Sequence, residues 1–123
     1  MTGRVAGYQA RLGVVFRLPR QPDLEIEFVV DTGFEGTLTL PVSAVAAMDL
    51  PFYQRIRANL ADDCVCMVDV HKASILWDGQ EAEVAVLAMG QRPLLGTMLL
   101  DGHDLSIHFV DGGNVSVLPF RSP

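Results

Sequence analysis

Apolar side chains recur at every second position from Tyr8 through Ala10, Leu12, Val14 and Phe16 to Leu18, with Gln9, Arg11, Gly13, Val15 and Arg17 between them. A period of two belongs to a strand buried on one face and wetted on the other, and it excludes a helix over this stretch. Pro19-Arg20-Gln21-Pro22-Asp23 has turn composition. Leu24, Ile26, Phe28 and Val30 then alternate with Glu25 and Glu27, which predicts a hairpin partner whose glutamates form a solvated face. At Val29-Val30 the alternation fails, because both faces turn apolar, so the strand runs into the core as it ends. The next residue is Asp31, followed by Thr32 and Gly33. Burying a carboxylate at that place is costly unless it has partners.

The rest of the chain reads as short strands with turns between them. Leu38 and Leu40 mark a short strand, and Pro41 suits the first turn of a brief helix over Val42–Met48. Phe52, Ile56, Ala58 and Leu60 return to period two, and Ala61-Asp62-Asp63 is a polar turn before a long strand from about Cys64 to Trp77. Asp78-Gly79 is a hairpin signal leading into Glu81–Leu87, with Trp77 packing at the turn. Leu94-Leu95-Gly96 is expected to open a second short helical segment ending near Gly102. Leu105, Ile107 and Phe109 alternate again, Asp111-Gly112-Gly113 turns, and Val115 and Val117 belong to a closing strand. Evenly spaced strands with two short helices predict an all-β barrel or sandwich over residues 1–123, read as a single domain.

Composition narrows the partners. Apolar residues make up 50% and charged residues 20% of 123 residues, a globular balance. A net charge of −6 argues against nucleic acid or an anionic membrane as partner. No apolar run approaches ~18 residues and Met1-Thr2-Gly3-Arg4 lacks a signal-peptide core, so a cytoplasmic protein is expected. Cys64 and Cys66 share a strand face roughly 6–7 Å apart, too far for a disulfide, and are expected to be reduced and partly buried. Asp62, Asp63 and Asp69 lack calcium-loop spacing, and no metal or cofactor is expected. His71, His103 and His108 have no nucleophile at a recognisable spacing, while Ser43 and Ser106 lack an elbow motif, so all five read as structural.

Four segments, taken jointly, carry a resemblance. They are Val29-Val30-Asp31-Thr32-Gly33-Phe34-Glu35-Gly36, Leu38-Thr39-Leu40-Pro41, Leu60-Ala61-Asp62, and Leu94-Leu95-Gly96-Thr97-Met98-Leu99-Leu100. In order and spacing they resemble the retropepsin-like (retroviral-type) aspartic proteases, in particular short prokaryotic members whose signature reads Asp-Thr-Gly-Phe. The fold this implies is an all-β acid-protease barrel with one or two short helices.

The resemblance implies that Asp31 supplies half of a catalytic dyad, completed by Asp31 of a second copy. Thr32 would brace the two loops, Gly33 would allow close backbone approach, and Leu94, Leu95 and Gly96 would support the loop. The segment with Ala61, Asp62, Asp63 and Cys64 would be a flap covering an extended peptide, its acidic tip disfavouring acidic peptides. Strands within Arg4–Leu18 and Val115–Leu118 would interleave across the dimer axis. The pattern departs at Phe34, where well-studied members carry a small or hydroxyl residue. Two carboxylates about 4 Å apart repel by ~4 kcal/mol at an effective dielectric near 20, so they titrate as a coupled pair. One then takes a proton from water while the other polarises the scissile carbonyl. The expected function is therefore a homodimeric aspartic endopeptidase without cofactor; its rival is a catalytically silent β-barrel that binds peptides or dimerises.

Overall fold

The computed structural model describes residues 1–59 and 64–121. Its elements are β1 (Thr2–Ala6), β2 (Gln9–Arg17), β3 (Leu24–Val30), β4 (Leu38–Leu40), α1 (Val42–Ala47), β5 (Phe52–Asn59), β6 (Val65–Trp77), β7 (Gln80–Ala88), β8 (Leu94–Leu95), α2 (Thr97–Leu100), β9 (His103–Ile107) and β10 (Asn114–Pro119).

The first alternating pair forms the expected hairpin, β2 against β3, with Arg11 opposite Val29 and Phe16 opposite Leu24. Ala10, Leu12, Val14, Phe16 and Leu18 all point into the core. Tyr8 does not, although the alternation counts it with them. It occupies the turn between β1 and β2, where Gly7 and Tyr8 take φ of 58° and 63°, and it is 93% exposed. A two-residue loop that follows the right-handed strand twist needs positive φ at both positions, and that requirement overrides the periodicity. Asp78 and Gly79, at φ 55° and 74°, make the same kind of turn between β6 and β7, as their sequence announces.

The strands form one sheet in the order β5-β6-β7-β4-β8-β3-β2-β1-β10-β9, and an added pairing of β6 with β2 joins β6 to β2 into a ring. Inside the ring lie Leu12, Phe16, Phe28, Leu38, Leu40, Ile75, Val86 and Leu95, all without solvent exposure. Phe16 and Phe28 stack with ring centres 5.9 Å apart. Burying a side chain of this size contributes about 1.5–3 kcal/mol.

Two sequence expectations are corrected. Leu94 and Leu95 form strand β8 rather than the start of a helix; Gly96 caps α2, which begins at Thr97. β8 lies between β3, to which it is parallel, and β4, to which it is antiparallel. The second correction concerns the ends of the chain. β1 pairs with β10 of the same chain, Thr2 opposite Ser116 and Arg4 opposite Asn114, and β2 and β9 occupy the outer edges of that pair. The Met1 ammonium donates to the Val117 carbonyl at 3.0 Å. Neither strand keeps a free edge for interleaving with a second copy. Phe109, expected to continue the last-but-one strand, lies beyond β9 and is exposed.

Candidate active site

Asp31 sits where β3 stops. Its N–H donates to the Leu95 carbonyl at 2.9 Å, extending the parallel pairing of Val29 with Leu94 and Val30 with Leu95 by one step. The carboxylate is half-buried, and its Oδ1 accepts the Gly33 N–H at 3.0 Å. The Phe34 N–H donates to the Asp31 carbonyl at 3.1 Å, closing a tight turn over Thr32 and Gly33, both exposed. This is the local Asx geometry that a short acidic side chain offers its own backbone. Among the described residues Asp31 makes no ion pair.

The return of the loop is fastened to β8 and α2. Gly96 N–H donates to Thr37 O at 2.8 Å, Thr97 N–H to Phe34 O at 2.9 Å, and Met98 N–H to Gly36 O at 3.0 Å. The Thr97 hydroxyl adds a bond to Phe34 O at 3.3 Å. These are N–H groups at the start of α2 that no turn of helix can satisfy, and the loop supplies their acceptors. Gly96 is required here: a Cβ would press on the carbonyl oxygens of Gly36 and Phe34, the latter at 2.6 Å. The Phe34 ring fills the space over Gly36 and Gly96, so this aromatic side chain closes the loop by packing.

Thr39 was not singled out by sequence. Buried at 2% exposure, its hydroxyl accepts the Leu94 N–H at 3.1 Å and donates to the Arg92 carbonyl at 3.4 Å. It thereby ties β4 to the turn that delivers β8. Only its place in a Leu-Thr-Leu strand could have hinted at this.

Of the expected flap residues, Ala61, Asp62 and Asp63 lie outside the described residues. Cys64 is exposed and precedes β6, while Cys66, inside the strand, is half-buried; neither is in a disulfide. The expectation that both are partly buried fails at Cys64, which is exposed. The arms β5 and β6 pair from Phe52 to Asn59, and Arg55 Nε holds Asp69 at 2.7 Å. Asp69 is thus committed to an ion pair, and no group of three or more His, Cys, Asp or Glu side chains among the described residues is arranged to hold a metal.

His71 and His103 are held by contacts within the fold. His71 Nδ1 meets Leu50 O at 2.9 Å, with its ring edge-on to Phe52. His103 lies against Trp77, its Nδ1 2.8 Å from Asp101 O and its Nε2 2.7 Å from Asp78 Oδ2. Burial pulls the His103 pKa down, but hydrogen bonds to Asp78 and to the Asp101 carbonyl, with the Asp78 charge, outweigh it, and the net shift is upward. Both partners are acceptors, and only the imidazolium can donate to both at once.

Two cavities deserve separation. One of about 690 Å³ lies among α1, β5 and β6, lined by Val45, Leu50, Met67, Asp69 and His71, and no residue of the Asp31 loop borders it. A smaller one of about 250 Å³ opens beside Val29, two residues before Asp31. Asp31 itself borders neither cavity; the smaller one reaches β3 at Val29 and the segment before β8 at Arg92 and Pro93.

No protein-family model and no curated protein sequence matches this chain. Among solved structures it is similar to a retropepsin-like aspartic protease from Rickettsia conorii, with a TM-score of 0.56 and 14% identity over 100% of this chain and 95% of that one. The likeness is one of fold: the ring of strands, the inserted β8 and the two short helices form a retropepsin-like architecture. Among the described residues no helix is long and apolar enough to cross a membrane.

Proposed function

We propose that this protein is a cytoplasmic aspartic endopeptidase that works as a homodimer, with Asp31 and the partner's Asp31 sharing a proton. The observation that carries the reading is the placement of Asp31 in a retropepsin-like fold, at the end of β3, fixed through its backbone to Leu95 and through Oδ1 to the Gly33 N–H. One copy offers one such carboxylate, so the site is incomplete without a second.

The chemistry follows from that incompleteness. Two carboxylates brought close cannot both ionise easily, and over a wide pH window one is charged and one protonated. The charged one accepts a proton from a bound water as the water attacks the peptide carbonyl carbon. The protonated one donates to the carbonyl oxygen, and the amine leaves after regaining a proton. Thr32 braces the paired loops, Gly33 leaves room at the dyad, and Leu94, Leu95 and Gly96 hold the loop from behind. The segment from Ala61 to Cys64 covers the substrate. No cofactor takes part.

Association is supported by what stands at the same end of the sheet. Val29, Arg11, Arg4 and Asn114 form one row of neighbours across β3, β2, β1 and β10. Asp31, the Gly7-Tyr8 turn and the Phe109–Asp111 turn all lie beyond that row on the same side. There Tyr8, Phe109 and Val110 are 93%, 60% and 66% exposed. A second copy related by a two-fold axis would cover such side chains while bringing the two Asp31 loops together. The test is cleavage of a randomised peptide pool, read by mass spectrometry, by wild type and Asp31→Asn. Cleavage that survives in Asp31→Asn rejects the dyad, and binding of a statine-type inhibitor that ignores Asp31 favours a silent peptide-binding barrel.

A further inference from the structure

The cavity of about 250 Å³ next to Val29 is lined by Gln9, Arg11, Glu27, Val29, Arg92 and Pro93. Val29 and Asp31 are two positions apart on one strand line, so their side chains leave the same face roughly 7 Å apart. The wall opposite β2 and β3 is equally close to the loop, since the Val29 N–H donates to Pro93 O at 2.9 Å. A peptide whose scissile bond lies at Asp31 therefore sends a neighbouring side chain into this cavity. About 250 Å³ accommodates one side chain and not a larger ligand.

The charges around it do not cancel. Arg11 Nη1 pairs with Glu27 at 3.2 Å and Nη2 donates to Gln9 Oε1 at 3.3 Å, which neutralises Glu27. Arg11 Nε is buried and has no hydrogen-bond partner. Arg92, on the other wall, makes no ion pair among the described residues. Its backbone is fixed, because its carbonyl accepts the Thr39 hydroxyl. Two guanidiniums and one carboxylate leave one positive charge around a space the size of a side chain.

We infer that this cavity is a specificity pocket for an acidic side chain, glutamate or aspartate, next to the cleaved bond, with Arg92 as its principal cation. The inference rests on the proposed endopeptidase reading and adds the substrate class. It also narrows the expectation drawn from Asp62 and Asp63 that acidic peptides are disfavoured. Acceptance of a carboxylate is confined to this one position, where the local charge is reversed. Guanidinium–carboxylate pairing is planar and two-pronged, so glutamine, which matches the shape without the charge, is the informative competitor.

The experiment compares otherwise identical octapeptides bearing Glu, Gln, Ala or Lys at the position flanking the cut, with wild type, Arg92→Gln and Arg92→Glu. Both hydrolysis and binding of fluorescein-labelled peptide by anisotropy are measured. Wild type is expected to favour Glu over Gln by about tenfold in kcat/KM. Arg92→Gln removes that preference and Arg92→Glu inverts it toward Lys. Hydrolysis by wild type with equal Glu and Gln rates overturns the pocket and leaves the protease reading standing. Absence of hydrolysis with tighter binding of the Glu peptide, lost in Arg92→Glu, sustains the pocket while the protease reading falls. Absence of both overturns both.

Discussion

The Asp31 N–H is held by the Leu95 carbonyl at 2.9 Å, so the proposed catalytic residue is positioned by a strand that arrives only in the last third of the chain. The two-residue strand β8 thus fixes the end of β3, and through Gly96, Thr97 and Met98 it also fixes the far side of the same loop.

Asp31→Asn is expected to abolish peptide hydrolysis, a loss of at least ~10²-fold, without unfolding the protein. An amide oxygen can still accept the Gly33 N–H, so the turn survives. Activity of the wild type should follow a bell-shaped pH profile, since one member of the dyad must be charged and the other not. Initial rates across pH and a melting curve of the variant check both halves.

Gly96→Ala places a methyl group against the backbone oxygens of Gly36 and Phe34, neither of which can rotate away. A destabilisation of about 1–3 kcal/mol is expected, with loss of activity from displacement of the Asp31 loop. Chemical denaturation measures the first. A Gly96→Ala protein as stable and active as wild type would contradict the close approach.

Thr39→Val keeps the shape and removes the hydroxyl that serves Leu94 N–H and Arg92 O. Leaving that buried N–H unpaired should cost about 1–3 kcal/mol, and Thr39→Ser should recover most of it. The pair of variants separates the hydrogen bond from the packing.

His103 contributes stability that depends on its charge. Its pKa in the folded protein is raised from 6.5, so the contribution is full below 6.5 and fades as pH rises through the higher folded value. Asp78→Asn, which leaves the turn but removes the charge partner, should flatten the loss of stability above pH 6.5, at a cost of about 1–2 kcal/mol at pH 6. Melting temperatures between pH 5 and 8 decide it.

Val110→Asp puts a charge on the exposed apolar end that carries Asp31. Sedimentation should show a concentration-dependent dimer for wild type and for Asp31→Asn, and a monomer without hydrolytic activity for Val110→Asp. A wild-type protein that stays monomeric at all concentrations would remove the shared dyad.

Most of the fold was legible where the pattern is local. The β2–β3 hairpin is written in alternation, the β6–β7 turn in Asp78-Gly79, and α1 in Pro41 and the short apolar-alanine run that follows it. β8 was misread because two residues have no period, and Leu94-Leu95 is as apolar in a helix as in a strand. Only its neighbours β3 and β4 decide the matter. The pairing of β1 with β10 was missed for a related reason: sequence shows that a strand exists, not which edge it finds. In the candidate site, the place of Asp31 at a strand end was readable from Val29-Val30 turning apolar. The Thr39 bond to the Arg92 carbonyl and the His103–Asp78 pair were not, since each depends on a residue distant in sequence.

The insertion of β8 between β3 and β4 has a consequence in time. The two strands flanking the Asp31 loop are neighbours in sequence but do not pair with each other; the edges that face each other are both filled by a third segment from far downstream. Such non-local closure is slow and comes late in folding. A growing polypeptide on the ribosome therefore exposes Asp31 long before residues 94–98 emerge to hold it. The loop that carries Asp31 is therefore held only once residues 94–98 have been made, although Asp31 itself is made early.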